Sequence, residues 1–165
     1  MKKLFVISVL ACGLVLLPNM AYSNELPDKD SLITQIGMMV NAKNYQKALL
    51  RCNEALENYP QDYILYYWRA AIYSATGDKK SALADYDKAI ALEPENAKLY
   101  LMRGICKYNL KDETGALNDY NKAIELDPNN GSAYSMRAMI KLDNGDYDGA
   151  DQDLDKANLL LNDDK

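Results

Sequence analysis

The sequence predicts an all-α fold made of four copies of a helix–turn–helix unit. Proline recurs every 34 residues, at Pro60, Pro94 and Pro128. Two alanine series keep the same interval, at Ala48, Ala82, Ala116 and Ala150 and at Ala55, Ala89, Ala123 and Ala157. A period of this length is typical of solenoids, in which each unit buries its apolar face only by stacking on its neighbours.

The first residues have the pattern of a secretory signal. Lys2 and Lys3 precede an apolar run at positions 4–17, and small residues follow at Ala21 and Ser23. A membrane-spanning helix needs roughly 20 apolar residues, so an uncleaved anchor is the weaker interpretation. We therefore expect residues 1–23 to be a cleaved signal peptide, residues 24–30 a short extension, and the mature protein to be periplasmic or secreted.

A lipoprotein is the other alternative for this segment. Residues 9–12 resemble a bacterial lipid-attachment box that ends at Cys12. Cleavage before Cys12 would leave the apolar residues 14–17 on the mature protein, which makes lipid attachment the weaker prediction.

Composition and charge indicate a folded, acidic domain. The chain has 165 residues, 48% hydrophobic and 26% charged, as expected of a single globular domain. Its net charge is −5, and loss of Lys2 and Lys3 with the signal would leave 17 basic against 24 acidic residues, a charge of −7. Such a charge argues against nucleic acid or anionic lipid as the main partner.

The register defines four repeats, at about 29–62, 63–96, 97–130 and 131–162, followed by a tail at 163–165. The predicted helices are 31–42, 45–58, 63–76, 79–92, 97–110, 113–126, 131–144 and 147–161. Each proline should end a second helix one or two residues earlier, because the residue before proline avoids the helical region. Leu32 replaces the tyrosine of later repeats and Gly37 lies inside a helix, which is typical of a terminal repeat.

Polar residues mark the turn inside each repeat. An N-cap is predicted before every second helix, at Asn44, Asp78, Asp112 and Asp146. The preceding position is glycine in two repeats, Gly77 and Gly145, and lysine in the other two, Lys43 and Lys111.

Residues 97–130, which end in GALNDYNKAIELDPNN, closely resemble the tetratricopeptide repeat consensus. The resemblance extends over about residues 29–162. It implies a right-handed α-solenoid whose first helices line a concave groove for a protein or peptide partner. The register places the following residues in that groove: Ile33, Gly37, Val40, Ile64, Tyr67, Ala71, Ser74, Lys98, Leu101, Ile105, Tyr108, Ser135, Met139 and Leu142.

Chaperone-binding members of this family hold a terminal carboxylate with a clamp of lysines, asparagines and an arginine. Only Lys98 agrees with the clamp, because the other matching positions hold Ile33, Gly37, Trp68 and Met102. Recognition of a free C-terminus is therefore not expected, and side-chain pockets would carry specificity.

Each of the last three repeats has an arginine on its first helix and an aspartate 16 residues later on its second helix. The pairs are Arg69 with Asp85, Arg103 with Asp119 and Arg137 with Asp153. In the first repeat Gln35 replaces the arginine and Arg51 the aspartate. Joint presence and joint absence favour structural ion pairs between the two helices of a repeat over a row of ligand-binding arginines.

The residues offer little for catalysis or metal binding. The chain has no histidine, and it contains no phosphate-binding loop or nucleophile motif. The acidic stretch 143–155 lacks the EF-hand spacing and is interpreted as a solvated helix face. Cys52 and Cys106 lie two repeats apart and are predicted to be free and buried. We expect no cofactor, no metal and no enzymatic activity.

Two functions fit this description. The first is an envelope adaptor that binds a peptide or helix in its groove, which the apolar character of the groove favours. The second is a structural homo-oligomer, joined through a fourth repeat that no further capping helix follows.

Overall fold

The computed structural model describes residues 28–162, which form eight α-helices. They are α1 (Lys29–Asn41), α2 (Tyr45–Asn58), α3 (Tyr63–Thr76), α4 (Lys79–Leu92), α5 (Ala97–Asn109), α6 (Glu113–Leu126), α7 (Gly131–Asp143) and α8 (Tyr147–Asn162). The all-α prediction is confirmed, and every helix begins and ends within two residues of its predicted bounds. The signal peptide, the lipid-attachment alternative at Cys12 and the tail 163–165 lie outside the described residues.

The helices pack as four hairpins in series. Each first helix packs on the second helix of its own repeat, and each second helix also contacts the first helix of the next repeat. The eight alanines of the two periodic series are all buried, none more than 2% exposed. Their small side chains let the paired helices approach closely, which explains the strict spacing of these alanines.

The residues before the three prolines lie outside the helical region, as predicted. Tyr59, Glu93 and Asp127 have φ values of −126°, −134° and −137°, and α2, α4 and α6 end immediately before them. Each proline therefore separates two repeats and lets the next helix start in a new direction.

The turns inside the repeats use a left-handed residue. Gly77 and Gly145 have φ values of 92° and 78°, and Lys43 and Lys111 adopt 58° and 67° at the equivalent positions. A left-handed residue suits glycine, so the two lysines carry backbone strain that the glycines avoid.

The N-cap prediction is correct for three of the four second helices. Asp78, Asp112 and Asp146 each accept a hydrogen bond from the backbone nitrogen three residues ahead, at 3.2, 2.9 and 3.0 Å. It is wrong for Asn44, whose side chain makes no cap bond. The three bonded caps have serine or glycine at the third helical position, whereas the first repeat has the longer Lys47 there.

The outward side of α8 is polar where the equivalent sides of α2, α4 and α6 are apolar. In the earlier repeats this side faces the next first helix and carries Leu49, Leu83 and Leu117 at one position and Leu56, Ile90 and Ile124 at another. The fourth repeat has Asp151 and Asn158 at these two positions, and both are exposed. Helix α8 thus has the polar outer side that is typical of a capping helix.

Exposed apolar residues remain near the end of α8, where Leu159 and Leu161 are 63% and 50% exposed. Leu161 partly covers Gly131 at the start of α7, since a Cβ at position 131 would lie 2.9 Å from Cγ of Leu161. Throughout residues 28–162, each helix is too short or too polar to cross a bilayer.

Candidate functional site

The three arginines lie between helices and are fully engaged there. Nε of Arg69 donates to Asp85 at 2.7 Å, and Nε of Arg137 donates to Asp153 at 2.8 Å. In each repeat a second bond runs from Nη2 to the other carboxylate oxygen, at 2.6–2.8 Å. The aspartates are buried, between 3% and 7% exposed. Two-bond pairing of this kind is the strongest arrangement that arginine and carboxylate form.

Each arginine also reaches back to the preceding repeat. Its Nη1 donates to a residue 16 positions earlier, to Asn53 from Arg69 at 2.9 Å and to Asn121 from Arg137 at 2.8 Å. One guanidinium therefore ties together two successive second helices. Sequence reasoning paired the arginines within repeats only and missed this second link, although the matching spacing of residues 53, 87 and 121 was its signal.

Each arginine also forms a cation–π contact with a tyrosine of the same helix. The guanidinium carbon lies 5.4–5.5 Å from the ring centre of the tyrosine three residues earlier, at Tyr66, Tyr100 and Tyr134. In the first repeat the cation is on the second helix instead of the first. Nη2 of Arg51 in α2 lies 3.5 Å from the amide oxygen of Gln35 in α1. The pKa of Arg69 is raised by its hydrogen bond to Asp85. Arg69, Arg103 and Arg137 with their partners therefore form a series of structural ion pairs, which we call the arginine ladder.

The groove lined by the first helices contains a pocket of about 320 Å³. Three first helices contribute to it, so the pocket exists only in the stacked repeats. Most of its wall is aromatic or branched aliphatic, and the lining residues are Ile33, Tyr63, Ile64, Tyr67, Trp68, Asn96, Lys98 and Leu99. We call it the aromatic pocket. An apolar concavity with a few polar groups is the usual form of a binding site.

The aromatic wall depends on Gly37. A Cβ at that position would lie 3.2 Å from Cζ2 of Trp68, so glycine leaves the room that the indole ring occupies against α1. Tyr67 meets Trp68 edge-on, with ring centres 5.3 Å apart. Such an edge contact is a favourable arrangement of two rings and holds both in place. Tyr63 and Trp68 line the pocket although neither was among the predicted groove residues, and the signal for Trp68 was its position at a site that matches the carboxylate clamp.

Lys98 is the cation of the aromatic pocket. Its Nζ lies 4.8 Å from the centre of the Tyr67 ring. Asn96, at the start of α5, uses its side-chain oxygen to cap the helix at the backbone nitrogen of Lys98, at 3.2 Å. The ring face stabilises the ammonium group without neutralising it.

Four other predicted groove residues, Ile105, Tyr108, Met139 and Leu142, differ in their exposure and contacts. Met139 and Leu142 are 43% and 40% exposed, and Ile105 is half-buried against the second core cluster. The Tyr108 hydroxyl donates to Asp143 at 2.7 Å, which links α5 to the end of α7. None of these four lines the aromatic pocket.

Leu101 was predicted to face the groove, and this needs correction. Its side chain is only 8% exposed and belongs to the core cluster that joins α5, α6 and α7. The residues of this cluster cover it, so it offers almost no surface to a partner.

The two described cysteines are free and buried, as predicted. Burial raises the pKa of Cys52 to about 12, with Arg69 lowering it and Asp85 raising it further. The pKa of Cys106 is also raised by burial. Both thiols are therefore protonated at neutral pH and are poor nucleophiles. Within residues 28–162, no three His, Cys, Asp or Glu side chains gather closely enough to hold a metal ion.

Comparison with protein-family models decides the family. Three models, each described as a tetratricopeptide repeat, match residues 63–96, 97–130 and 119–152. Together they span 63–152, more than half of the chain. The chain belongs to the tetratricopeptide repeat family. A search of curated protein sequences finds no match.

Solved structures show the same tetratricopeptide solenoid. MamA from Desulfovibrio magneticus superposes with a TM-score of 0.72 at 19% identity, covering 81% of this chain and 76% of that one. Another MamA crystal structure gives 0.74 at 18% identity, covering 82% and 79%. At these identities the likeness concerns the fold alone.

Two further tetratricopeptide domains are also similar. The Sgt2 domain from Aspergillus fumigatus has a TM-score of 0.68 at 26% identity and covers 74% of this chain and 83% of that one. The first such domain of Spaghetti (RPAP3), bound to the HSP90 peptide SRMEEVD, has a TM-score of 0.66 at 24% identity and covers 70% and 91%.

Proposed function

We propose that this tetratricopeptide protein is a non-catalytic scaffold that holds a segment of a partner protein in the groove of its first helices. The aromatic pocket carries this proposal. It places Tyr63, Tyr67 and Trp68 at a surface opening, whereas a protein without a partner would bury these rings or replace them with polar residues. Large amphipathic aromatic side chains at an accessible concavity are typical anchors of protein interfaces.

The structural neighbours support this kind of function. Tetratricopeptide domains serve mainly as interaction scaffolds, and the Spaghetti domain was solved with a peptide bound. The binding mode here must differ from a carboxylate clamp, since Ile33, Gly37 and Trp68 stand where clamp residues would be. A pocket for an apolar side chain replaces them.

Export to the bacterial envelope is part of the proposal. It rests on the signal-like composition of residues 1–23, in which Lys2 and Lys3 precede the apolar run at 4–17. The partner would accordingly be a protein of the periplasm, the envelope or the exterior.

The alternative, a homo-oligomer joined through the fourth repeat, is less well supported. Continuing the stack would require an apolar outward side of α8, and Asp151 and Asn158 occupy the two central positions of that side. The exposed large apolar residues of α8 are Tyr147 at its start and Leu159 and Leu161 near its end, so they are divided between the two ends of the helix. A patch of two leucines is below the size of a stable interface.

In-cell photo-crosslinking from position 63 tests the scaffold function. A benzoylphenylalanine replaces Tyr63 in the pocket, and a matched control replaces exposed Lys88 on α4. We expect an adduct with one partner protein from position 63 and none from position 88, with the cross-linked partner residues confined to one short segment. Identical adducts from both positions, or none from position 63, would contradict the proposal.

A further inference from the structure

We infer that the aromatic pocket selects a segment in which a large apolar side chain is accompanied by lysine or arginine, so that the partner is basic at its binding segment. This inference rests on the proposed function, because it names the chemistry of the segment that the groove holds. It is carried by a second concavity that joins the aromatic pocket.

The second concavity has a volume of about 480 Å³ and adjoins the aromatic pocket, since Asn96 and Lys98 line both. It lies between the loops that precede α5 and α7. Its lining includes three carboxylates, Glu93, Glu95 and Asp127, and we call it the acidic rim. A chain that leaves the aromatic pocket on this side must pass over the acidic rim.

The carboxylates of the acidic rim form no ion pair within residues 28–162. The ion pairs of this region neutralise Asp62, Asp85, Asp87, Asp119, Asp153, Glu54 and Glu125, and none includes a rim residue. Asp127 accepts one backbone hydrogen bond, from Asn129 at 3.1 Å, which leaves its charge in place. The rim therefore carries an excess of negative charge, with three carboxylates and one lysine in its lining.

Lys98 lines the rim together with the three carboxylates, so one positive charge offsets only part of their field. The ammonium group of Lys98 lies over the Tyr67 ring and forms no ion pair with a described carboxylate. Lys122 is near enough to Glu95 to feel its charge, but its ammonium group donates to Glu125 at 2.6 Å. A partner cation at the rim would be attracted, and a partner carboxylate would be repelled.

The aromatic pocket sets the apolar half of the motif. Its volume of about 320 Å³ and its wall of Ile33, Tyr63, Ile64 and Trp68 suit one large side chain such as leucine, methionine or phenylalanine. The shared residues then place a neighbouring basic side chain of the same segment at the rim. The two features together define an apolar-plus-basic motif.

The test begins with a phage library of random peptides selected on the purified protein. Enriched peptides are synthesised and titrated while the fluorescence of Trp68, the one tryptophan of the chain, is recorded. We expect enriched peptides to combine a large apolar residue with lysine or arginine. Replacing those basic residues with glutamate should weaken binding about tenfold or more, and raising the salt should weaken the original peptide.

Protein variants then locate the charge effect. The triple variant Glu93→Gln, Glu95→Gln, Asp127→Asn should bind the basic peptide about tenfold more weakly, whereas Glu57→Gln, Asp148→Asn, Asp151→Asn removes three distant charges and should change binding little. Lys98→Gln should strengthen binding of the basic peptide. Circular dichroism melting of each variant shows that it is folded.

The outcomes separate the two proposals. Acidic enriched peptides, or weaker binding by Lys98→Gln, would overturn the basic motif while leaving the groove function standing. Equal effects of the two triple variants would also overturn it, because net charge alone would then explain the preference. Enriched peptides that leave Trp68 fluorescence unchanged would overturn the groove function itself.

Discussion

Arg103 and Asp119 face each other across the third hairpin in a two-bond ion pair, with Nε 2.9 Å from Oδ2 and Nη2 2.6 Å from Oδ1. The remaining nitrogen of Arg103 donates to Asp87 of the preceding repeat at 2.6 Å. A single side chain thus determines both how two helices pair and how two repeats stack.

Substituting Arg103 with glutamine should strongly destabilise the protein. Asp119, 3% exposed, would keep only Lys107 as a partner, and loss of its two charge-assisted hydrogen bonds from Arg103 should cost about 1.5–3 kcal/mol of unfolding free energy. Urea denaturation followed by circular dichroism measures the change. The control Lys122→Gln removes an exposed pair with Glu125 and should have no measurable effect; equal losses from the two variants would refute the ladder's structural role.

Acid should weaken the ladder at Asp153. Burial alone would raise the pKa of this carboxyl, but hydrogen bonds and charge from Arg137 and Lys141 hold it below its ordinary value of 3.8. A depressed folded-state pKa stabilises the protein above about pH 4, and that contribution disappears as the pH falls through the folded-state pKa.

The urea midpoint of the wild type should therefore fall more steeply between pH 5 and pH 3 than that of Arg137→Gln, in which the main cause of the depression is absent. The variant Lys122→Gln serves as a control and should follow the wild-type slope. Parallel pH dependences of wild type and Arg137→Gln would show that this pair does not govern acid stability.

Exchanging residues between turns should change stability in opposite directions. Lys111→Gly relieves a residue at a φ of 67° and should raise the unfolding free energy by roughly 0.5–1 kcal/mol, while Gly77→Lys imposes the same strain and should lower it by a similar amount. Thermal melting of both variants measures this. If both variants gained stability, or both lost it, backbone strain at these positions would not be the cause.

Restoring an apolar outward side on α8 should produce self-association. The variant Asp151→Leu, Asn158→Ile reproduces the pattern of the first three repeats and should sediment as larger species at concentrations where the wild type does not. Asp148→Leu, elsewhere on α8, is the matched control. If the control associates equally, added hydrophobicity and not the stacking surface is responsible.

Local sequence rules account for most of the fold. The constant repeat interval located every hairpin, and the prolines and turn residues placed the helix ends within two residues. Asn44 shows the limit of such rules, since it stands at the cap position of α2 without making the cap bond. The three bonded caps are aspartates with serine or glycine three residues ahead, whereas Asn44 has Lys47 there, so a cap-type residue at the right position is not sufficient for the bond.

The candidate site was predicted only in part. Ile64, Tyr67 and Lys98 were assigned to the groove from their register and do line the aromatic pocket. Trp68 was missed because its ring reaches the pocket only through the space left by Gly37, which belongs to the preceding repeat. Leu101 has the register of a groove residue, but it is buried in the core cluster that joins α5, α6 and α7.

The sequence alone determined the repeat, the hairpins and the partners within the arginine ladder, because these follow from short-range periodicity and from charges that occur together. The tertiary structure decided which groove residues remain accessible, how each arginine reaches the preceding repeat, and that the acidic rim adjoins the aromatic pocket. These features depend on the angle and spacing between stacked hairpins, which arise from the packing of several helices at once and have no counterpart in the period of one repeat.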